Sequence, residues 1–182
     1  MSEFFSVKGV FTPKHVAVMA MLLGIRAILS HPLLTFYFQG MKIFSFAYIT
    51  DALCVMLFGP IAGFVFAFAG DTIGFFAAAG TGGAYFPGFA ISEMLTCLIF
   101  AFFFYKKDIT VPRVILAWLI NLFVILLGLN MVWLMLMYGS SAGSVYTSIR
   151  FVINLVQAPV HIFLLWFLLP RLYKLAQRGN IL

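Results

Sequence analysis

Long apolar runs, separated by glycine, proline and charged residues, make up most of this chain. Six of these runs are long enough to form helices, and they lie at residues 15–31, 44–58, 61–79, 88–105, 114–137 and 145–173. A helix that crosses a membrane needs about 20 mostly apolar residues, so 182 residues hold roughly five to seven of them with short loops. The pattern predicts an all-α membrane protein, a bundle of six transmembrane helices forming one domain over residues 1–182.

The composition and the placement of charge agree with this prediction. The chain is 64% hydrophobic and 9% charged, and its mean hydropathy of +1.13 excludes the soluble globular class. Its net charge of +6 comes from basic residues near helix ends, so it does not indicate a nucleic-acid partner. Both termini are predicted to be cytoplasmic, because only Lys42 then lies in an outer loop, while eight basic residues lie inside: Lys8, Lys14, Lys106, Lys107, Arg113, Arg171, Lys174 and Arg178.

Charged side chains nevertheless interrupt the apolar runs. They are Arg26, Asp51, Asp71, Glu93 and Arg150. A charge inside a membrane helix costs about 2.5–3.5 kcal/mol, so such residues usually face a bundle interior or a cavity. Counted from the predicted helix ends, the strongest polar groups concentrate in the outer half of the membrane. This arrangement predicts a ligand site there, and the alternative is that the charges only neutralise one another as buried ion pairs.

The residue types around these charges indicate what the site binds. Two guanidinium groups, Arg26 and Arg150, suit bidentate contacts with carboxylates, and Lys42 would assist at the mouth of the site. Aromatic side chains offer flat faces for a ring system, or else belong to the membrane-interface belt: Tyr85, Phe86, Trp133 and Tyr138.

Two outer loops are predicted to act as lids over the site. Residues 32–43 alternate aromatic and polar side chains, a pattern that is also compatible with a short hairpin, and residues 80–87 are rich in glycine and aromatics. The alternative is that both segments are flexible connectors.

The chain lacks the motifs of common catalytic and metal sites. It has no G-x-x-x-x-G-K-[ST] loop for ATP and no G-x-S-x-G elbow, and its three histidines are dispersed. We therefore expect no catalytic residues, no metal and no cofactor. An intramembrane enzyme that uses Asp51 and Asp71 stays open as an alternative, and so does a structural subunit that binds no small molecule.

Small residues on the first helix form a surface that another helix can approach closely. They are Ala17, Ala20 and Gly24, with Ala20-x-x-x-Gly24 as the small-x-x-x-small pair. The surface serves either a partner protein or packing within the bundle.

Several motifs together resemble one known family. They are Leu57-Phe58-Gly59-Pro60 with Gly63, Gly70-Asp71, Tyr85-Phe86-Pro87-Gly88-Phe89, Trp133, Tyr138-Gly139, and the set Arg150, Asn154 and Pro159. The chain resembles the folate family among the substrate-binding S components of energy-coupling-factor (ECF) vitamin transporters. The resemblance extends over about residues 20 to 169.

The resemblance implies a protein of the bacterial plasma membrane that captures folate from outside in an occluded pocket. It also implies docking on a membrane-embedded coupling protein that carries two cytoplasmic ATPase subunits, through an Ala-x-x-x-Ala motif that is Ala20-x-x-x-Gly24 here. An S component for pantothenate or a pyrimidine precursor is the alternative within transport. The residues expected to contact the ligand are Arg26, Lys42, Asp71, Tyr85, Phe86, Asn130, Trp133, Tyr138 and Arg150.

Overall fold

The computed structural model describes residues 11–31, 36–38, 41–77 and 85–178, of which 36–38 and 41–44 are described by their backbone alone. In chain order the elements are α1 (Pro13–Leu29), β1 (Phe36–Phe38), β2 (Met41–Phe44), α2 (Ala47–Phe58), α3 (Pro60–Ala77), α4 (Pro87–Phe104), α5 (Val111–Ile120), a π-helix (Asn121–Leu129), α6 (Asn130–Tyr138) and α7 (Ser140–Arg178). The predicted helical bundle is therefore present, together with one two-stranded hairpin that an all-α description omits.

The hairpin lies where aromatic and polar residues alternate in the sequence. Strands β1 and β2 pair antiparallel, with Phe38 opposite Met41 and Tyr37 opposite Lys42. Alternation of this kind is typical of a strand rather than a helix. The hairpin that the sequence allowed for residues 32–43 is confirmed, and its second strand continues to Phe44.

Three helical stretches are long and apolar enough to cross a membrane. These are Pro87–Phe104, Val111–Tyr138 and Ser140–Arg178. Two shorter apolar helices accompany them, at Ala47–Phe58 and Pro60–Phe76, and α1 has 17 residues. The chain is thus a helical membrane protein.

The short helix α2 lies at the centre of the bundle. Ten of its twelve residues are buried, and it contacts α1, α3, α4 and α7. Val55 and Met56 belong to a core cluster that also contains Cys97 and Leu165. Because neighbouring helices cover α2 on all sides, its length does not have to match the bilayer.

The turn between α2 and α3 is a single residue. Gly59 has a φ of +88°, a conformation that side chains disfavour, and Pro60 follows as the first residue of α3. A Cβ at position 59 would also lie 3.0 Å from the Tyr105 ring. The tight Gly59-Pro60 turn predicted from the sequence is confirmed.

The predicted helices at 114–137 and 145–173 leave residues 138–144 as a connecting loop, and this prediction is wrong. Helix α6 ends at Tyr138, Gly139 turns the chain with a φ of +86°, and α7 begins at once with Ser140. The serines fit into the helix because their hydroxyl groups donate to carbonyls one turn earlier, as from Ser144 Oγ to Ser140 O at 2.8 Å. A polar segment that reads as a loop is therefore the first turn of the longest helix.

Candidate ligand-binding site

Arg26 on α1 is held by two carboxylates inside the bundle. Its Nε donates to Asp51 Oδ1 at 2.6 Å, and its Nη2 donates to Asp51 Oδ2 at 3.2 Å. Nη2 also lies 3.5 Å from Glu93 Oε2, so the group joins α1 and α2 to α4. Arg26 and Asp51 are each only 1% exposed. The sequence left two roles open for Arg26, ligand binding and ion pairing. In the structure Arg26 forms an ion pair.

Helix α3 makes room for this ion pair because it has glycines where it faces Arg26. A Cβ at Gly70 would lie 2.6 Å from both Cδ and Nη1 of Arg26, and one at Gly74 would lie 3.4 Å from Ser30 Cβ. The guanidinium group therefore packs directly on the backbone of α3. Glycine is needed at position 70 of the Gly70-Asp71 motif because a larger residue would overlap Arg26. The neighbouring Asp71 is half-buried at the same level of α3.

Arg150 lies in a different environment, against the first turn of α4. Its guanidinium carbon is 5.7 Å from the centre of the Phe89 ring, in a cation–π geometry. Glu93 lies one turn further along α4 than Phe89, on the same face of the helix. The Glu93 side chain keeps about a third of its surface exposed (32%). Glu93 therefore stands between the two arginines that the sequence singled out.

An aromatic group surrounds the start of α4 beside Arg150. The Phe86 ring lies 5.7 Å from the Trp133 ring and 6.0 Å from the Phe89 ring. Trp133 Nε1 donates to Ser92 Oγ at 3.1 Å, which fixes the indole against α4. A Cβ at Gly88 would collide with Phe86 and lie 2.7 Å from Trp133 Cδ2, so glycine is needed for this packing. Through Phe89, the structure brings Phe86, Trp133 and Arg150 into one group at the start of α4.

The remaining predicted residues lie around this group. Tyr85 packs on Phe75 at 5.2 Å between ring centres, and its hydroxyl shares a hydrogen bond of 3.2 Å with Thr72 Oγ1. Tyr138 is 41% exposed and packs against Tyr146 at 5.3 Å. Lys42 belongs to β2, and its side chain lies outside the described residues, as do residues 80–84 of the second proposed lid.

Sequence reasoning missed two polar residues in the interior. The Tyr48 ring on α2 lies 4.3 Å from the His161 ring on α7, and Gln157 is one turn before His161. The hydroxyl of Tyr48 and Oε1 of Gln157 are buried, as is Oδ1 of the predicted Asn130. The spacing of Arg150, Asn154, Gln157 and His161 is a signal that was available, because positions four, seven and eleven residues apart share one helix face.

The small residues of α1 face outward. Ala17, Ala20 and Gly24 are exposed, and a Cβ at Gly24 would meet nothing within 4 Å. Met21 and Ile25 on the same helix are also exposed, at 69% and 48%. The described part of the chain therefore does not use these residues for packing within the bundle.

Comparison with known proteins identifies the family. No family model matches the chain. Two curated relatives, both named folate transporter FolT, are 31% identical to it. The one from Clostridium novyi aligns over 130 residues, 70% of this chain and 74% of the relative. The one from Leuconostoc mesenteroides aligns over 157 residues, 84% and 82%. The chain belongs to the FolT family.

A solved structure of a FolT protein has the same fold. The crystal structure of FolT bound with folic acid matches with a TM-score of 0.75 at 29% identity, over 86% of this chain and 92% of that one. FolT-family membership confirms the resemblance to the folate family, and it makes the chain a transport protein rather than an enzyme. The alternative of an intramembrane enzyme is also weakened by geometry, because both carboxylate oxygens of Asp51 contact Arg26.

Proposed function

We propose that this chain is the folate-binding S component of an ECF transporter, which captures folate outside the cell and delivers it through partner subunits. The observation that carries the proposal is the match to a FolT protein bound with folic acid, extending over 86% of this chain. The site in the outer part of the bundle supports the same ligand. Folate has carboxylates at one end and a flat heterocycle at the other, and the site offers a guanidinium group together with aromatic faces.

Within this site the two arginines have different roles. Arg150 contacts the ligand carboxylates, with Lys42 assisting from the hairpin, because its guanidinium lies beside the aromatic group on which a ring-bearing ligand would pack. Arg26 does not contact the ligand itself. Its contacts with Asp51 and Glu93 hold in place the helices that form the pocket. Phe86, Trp133 and Asn130 line the pocket, and Asp71, Tyr85 and Tyr138 surround it.

The chain lies in the bacterial plasma membrane and encloses its ligand in an occluded pocket. Six spans with both termini in the cytoplasm place eight basic residues inside. The hairpin segment 32–43 and the segment 80–87 then lie on the outer side, and they close over the bound ligand.

Delivery requires partners, since this chain carries no phosphate-binding loop for ATP. A membrane-embedded coupling protein with two cytoplasmic ATPase subunits supplies the energy. It docks on α1, where Ala17, Ala20 and Gly24 are exposed and permit close approach of another helix.

The test is ligand binding by the purified chain in lipid nanodiscs, measured by isothermal titration calorimetry. We expect saturable binding of folic acid at one site per chain, without ATP and without any partner. Pantothenate and a pyrimidine precursor serve as matched competitors and should not displace folic acid. Binding of either competitor in place of folic acid would overturn the substrate assignment, and binding of no vitamin at all would overturn the S-component assignment.

A further inference from the structure

Three buried oxygens in the bundle have no hydrogen-bond partner among the described residues. They are the Tyr48 hydroxyl oxygen, Asn130 Oδ1 and Gln157 Oε1. Buried polar groups in proteins are almost always hydrogen-bonded, so each exception requires an explanation. In a membrane, such a group is tolerated only where it meets another protein group or lines a cavity.

Other buried polar groups nearby do find partners within the protein. Thr96 Oγ1 donates to Asn121 Oδ1 at 3.0 Å, which joins α4 to the π-helix, and Trp133 Nε1 donates to Ser92 Oγ at 3.1 Å. The bundle therefore satisfies polar side chains where they serve to join its helices. The oxygens of Tyr48, Asn130 and Gln157 differ from these pairs in lacking any such contact within the described chain.

The position of Gln157 relates it to the proposed anion contact at Arg150. Both residues lie on one face of α7, seven residues apart, which corresponds to about 10 Å along the helix. His161 follows one turn later on that face, and Tyr48 from α2 lies against its ring at 4.3 Å. One face of α7 thus carries a cation at one end and uncharged polar groups beside a pair of rings at the other.

From this arrangement we propose that Tyr48 and Gln157 are specificity-determining residues that hydrogen-bond the uncharged heterocycle of the ligand, while Arg150 binds its carboxylates. The proposal rests on the proposed function and adds to it the groups that recognise the heterocycle by hydrogen bonds. Amide oxygens accept hydrogen bonds from the ring N–H and amino groups of a flat heterocycle, and the Tyr48 hydroxyl can also donate to an oxo group, whereas an anion offers an amide oxygen no donor. A site built this way rejects analogues that lack those groups, because its own buried oxygens are then left without partners.

A ligand-contact role and a structural role predict opposite effects on the ligand-free protein. Tyr48→Phe removes only the hydroxyl group, and Gln157→Met keeps nearly the same volume without the amide. If the oxygens serve the ligand, removing them relieves a buried unpaired group, so the ligand-free melting temperature stays constant or rises. If they serve the fold through contacts of their own, the melting temperature falls. Thr96→Val is the matched control, since it removes a hydrogen bond that is closed within the protein.

The experiment measures the melting temperature of each ligand-free variant and its affinity for folic acid and for p-aminobenzoylglutamate, which lacks the heterocycle. We expect Tyr48→Phe and Gln157→Met to bind folic acid about tenfold more weakly, to bind p-aminobenzoylglutamate as the wild type does, and to melt no lower than the wild type. Thr96→Val should melt lower and bind folic acid within about twofold of the wild type. Wild-type affinity for folic acid in both variants, or a melting temperature lowered as in Thr96→Val, would overturn the inference and leave the proposed function intact. Failure of the wild type itself to bind folic acid would overturn the proposed function first.

Discussion

Removing the Arg26 guanidinium should be among the most destabilising single changes in this bundle. Arg26→Met keeps a long apolar stem but leaves Asp51 buried at 1% exposure without its cation. The lost contacts are two hydrogen bonds to a charged acceptor, at 2.6 and 3.2 Å, each with a contribution of about 1.5–3 kcal/mol. Their sum agrees with the roughly 3–5 kcal/mol usually lost when one partner of a buried ion pair is removed.

The double variant Arg26→Met/Asp51→Leu tests the cause of this loss. Replacing both partners removes the unpaired charge, so the double variant should be markedly more stable than Arg26→Met alone. Reversible unfolding in mixed micelles, measured for the wild type, both single variants and the double variant, gives the coupling free energy directly. We expect a coupling of about 2 kcal/mol or more in magnitude. Additive single effects would refute the assignment of Arg26 as a residue that holds the helices together.

The other predictions concern neighbours, ligand and partner. Gly70→Ala should lower stability by about 1–3 kcal/mol in the same assay, because its Cβ would overlap Arg26, whereas Gly24→Ala should be well tolerated. Arg150→Gln should weaken folic acid binding about tenfold or more by calorimetry, and unchanged affinity would exclude a carboxylate contact. Folic acid should slow hydrogen exchange in segments 32–43 and 80–87, and equal exchange at saturation would argue against lids. Gly24→Trp should abolish folate uptake by cells while the purified variant still binds folic acid. Val152→Trp, at an exposed position of α7, is the control. ATP-independent uptake by this chain alone in vesicles would contradict the need for partners.

The order of the helices was predictable because apolar runs end at glycine and proline in this chain. Gly59-Pro60 lies where the sequence places the turn, and the alternating segment before α2 is a hairpin. Two features had no usable signal. The π-helical geometry of Asn121–Leu129 follows from no residue that breaks a helix, and the serines after Gly139 read as a loop because their backbone hydrogen bonding is invisible in a hydropathy pattern.

The identity of the site residues was predictable, but their pairing was not. Arg26 had three candidate carboxylates, those of Asp51, Asp71 and Glu93, and the choice depends on how each helix is rotated about its axis. Gly70 permits the observed pairing, since the absence of a side chain there lets the guanidinium lie against α3 while it contacts Asp51. Tyr48 and Gln157 escaped notice because uncharged polar residues barely disturb an apolar run, although the spacing along α7 contained the information.

The burial of α2 also bears on how the protein enters the membrane during synthesis. With twelve residues, α2 is too short to be recognised as a span by itself, and only Gly59 separates it from α3. We expect the two helices to insert together as a hairpin of about thirty residues rather than one after the other. By then Arg26 has already been synthesised, 25 positions earlier, so the acidic group of α2 meets its cation as it leaves water. We therefore expect the ion pair to act during biogenesis as well, because a paired carboxylate costs less to bring into the bilayer than an unpaired one.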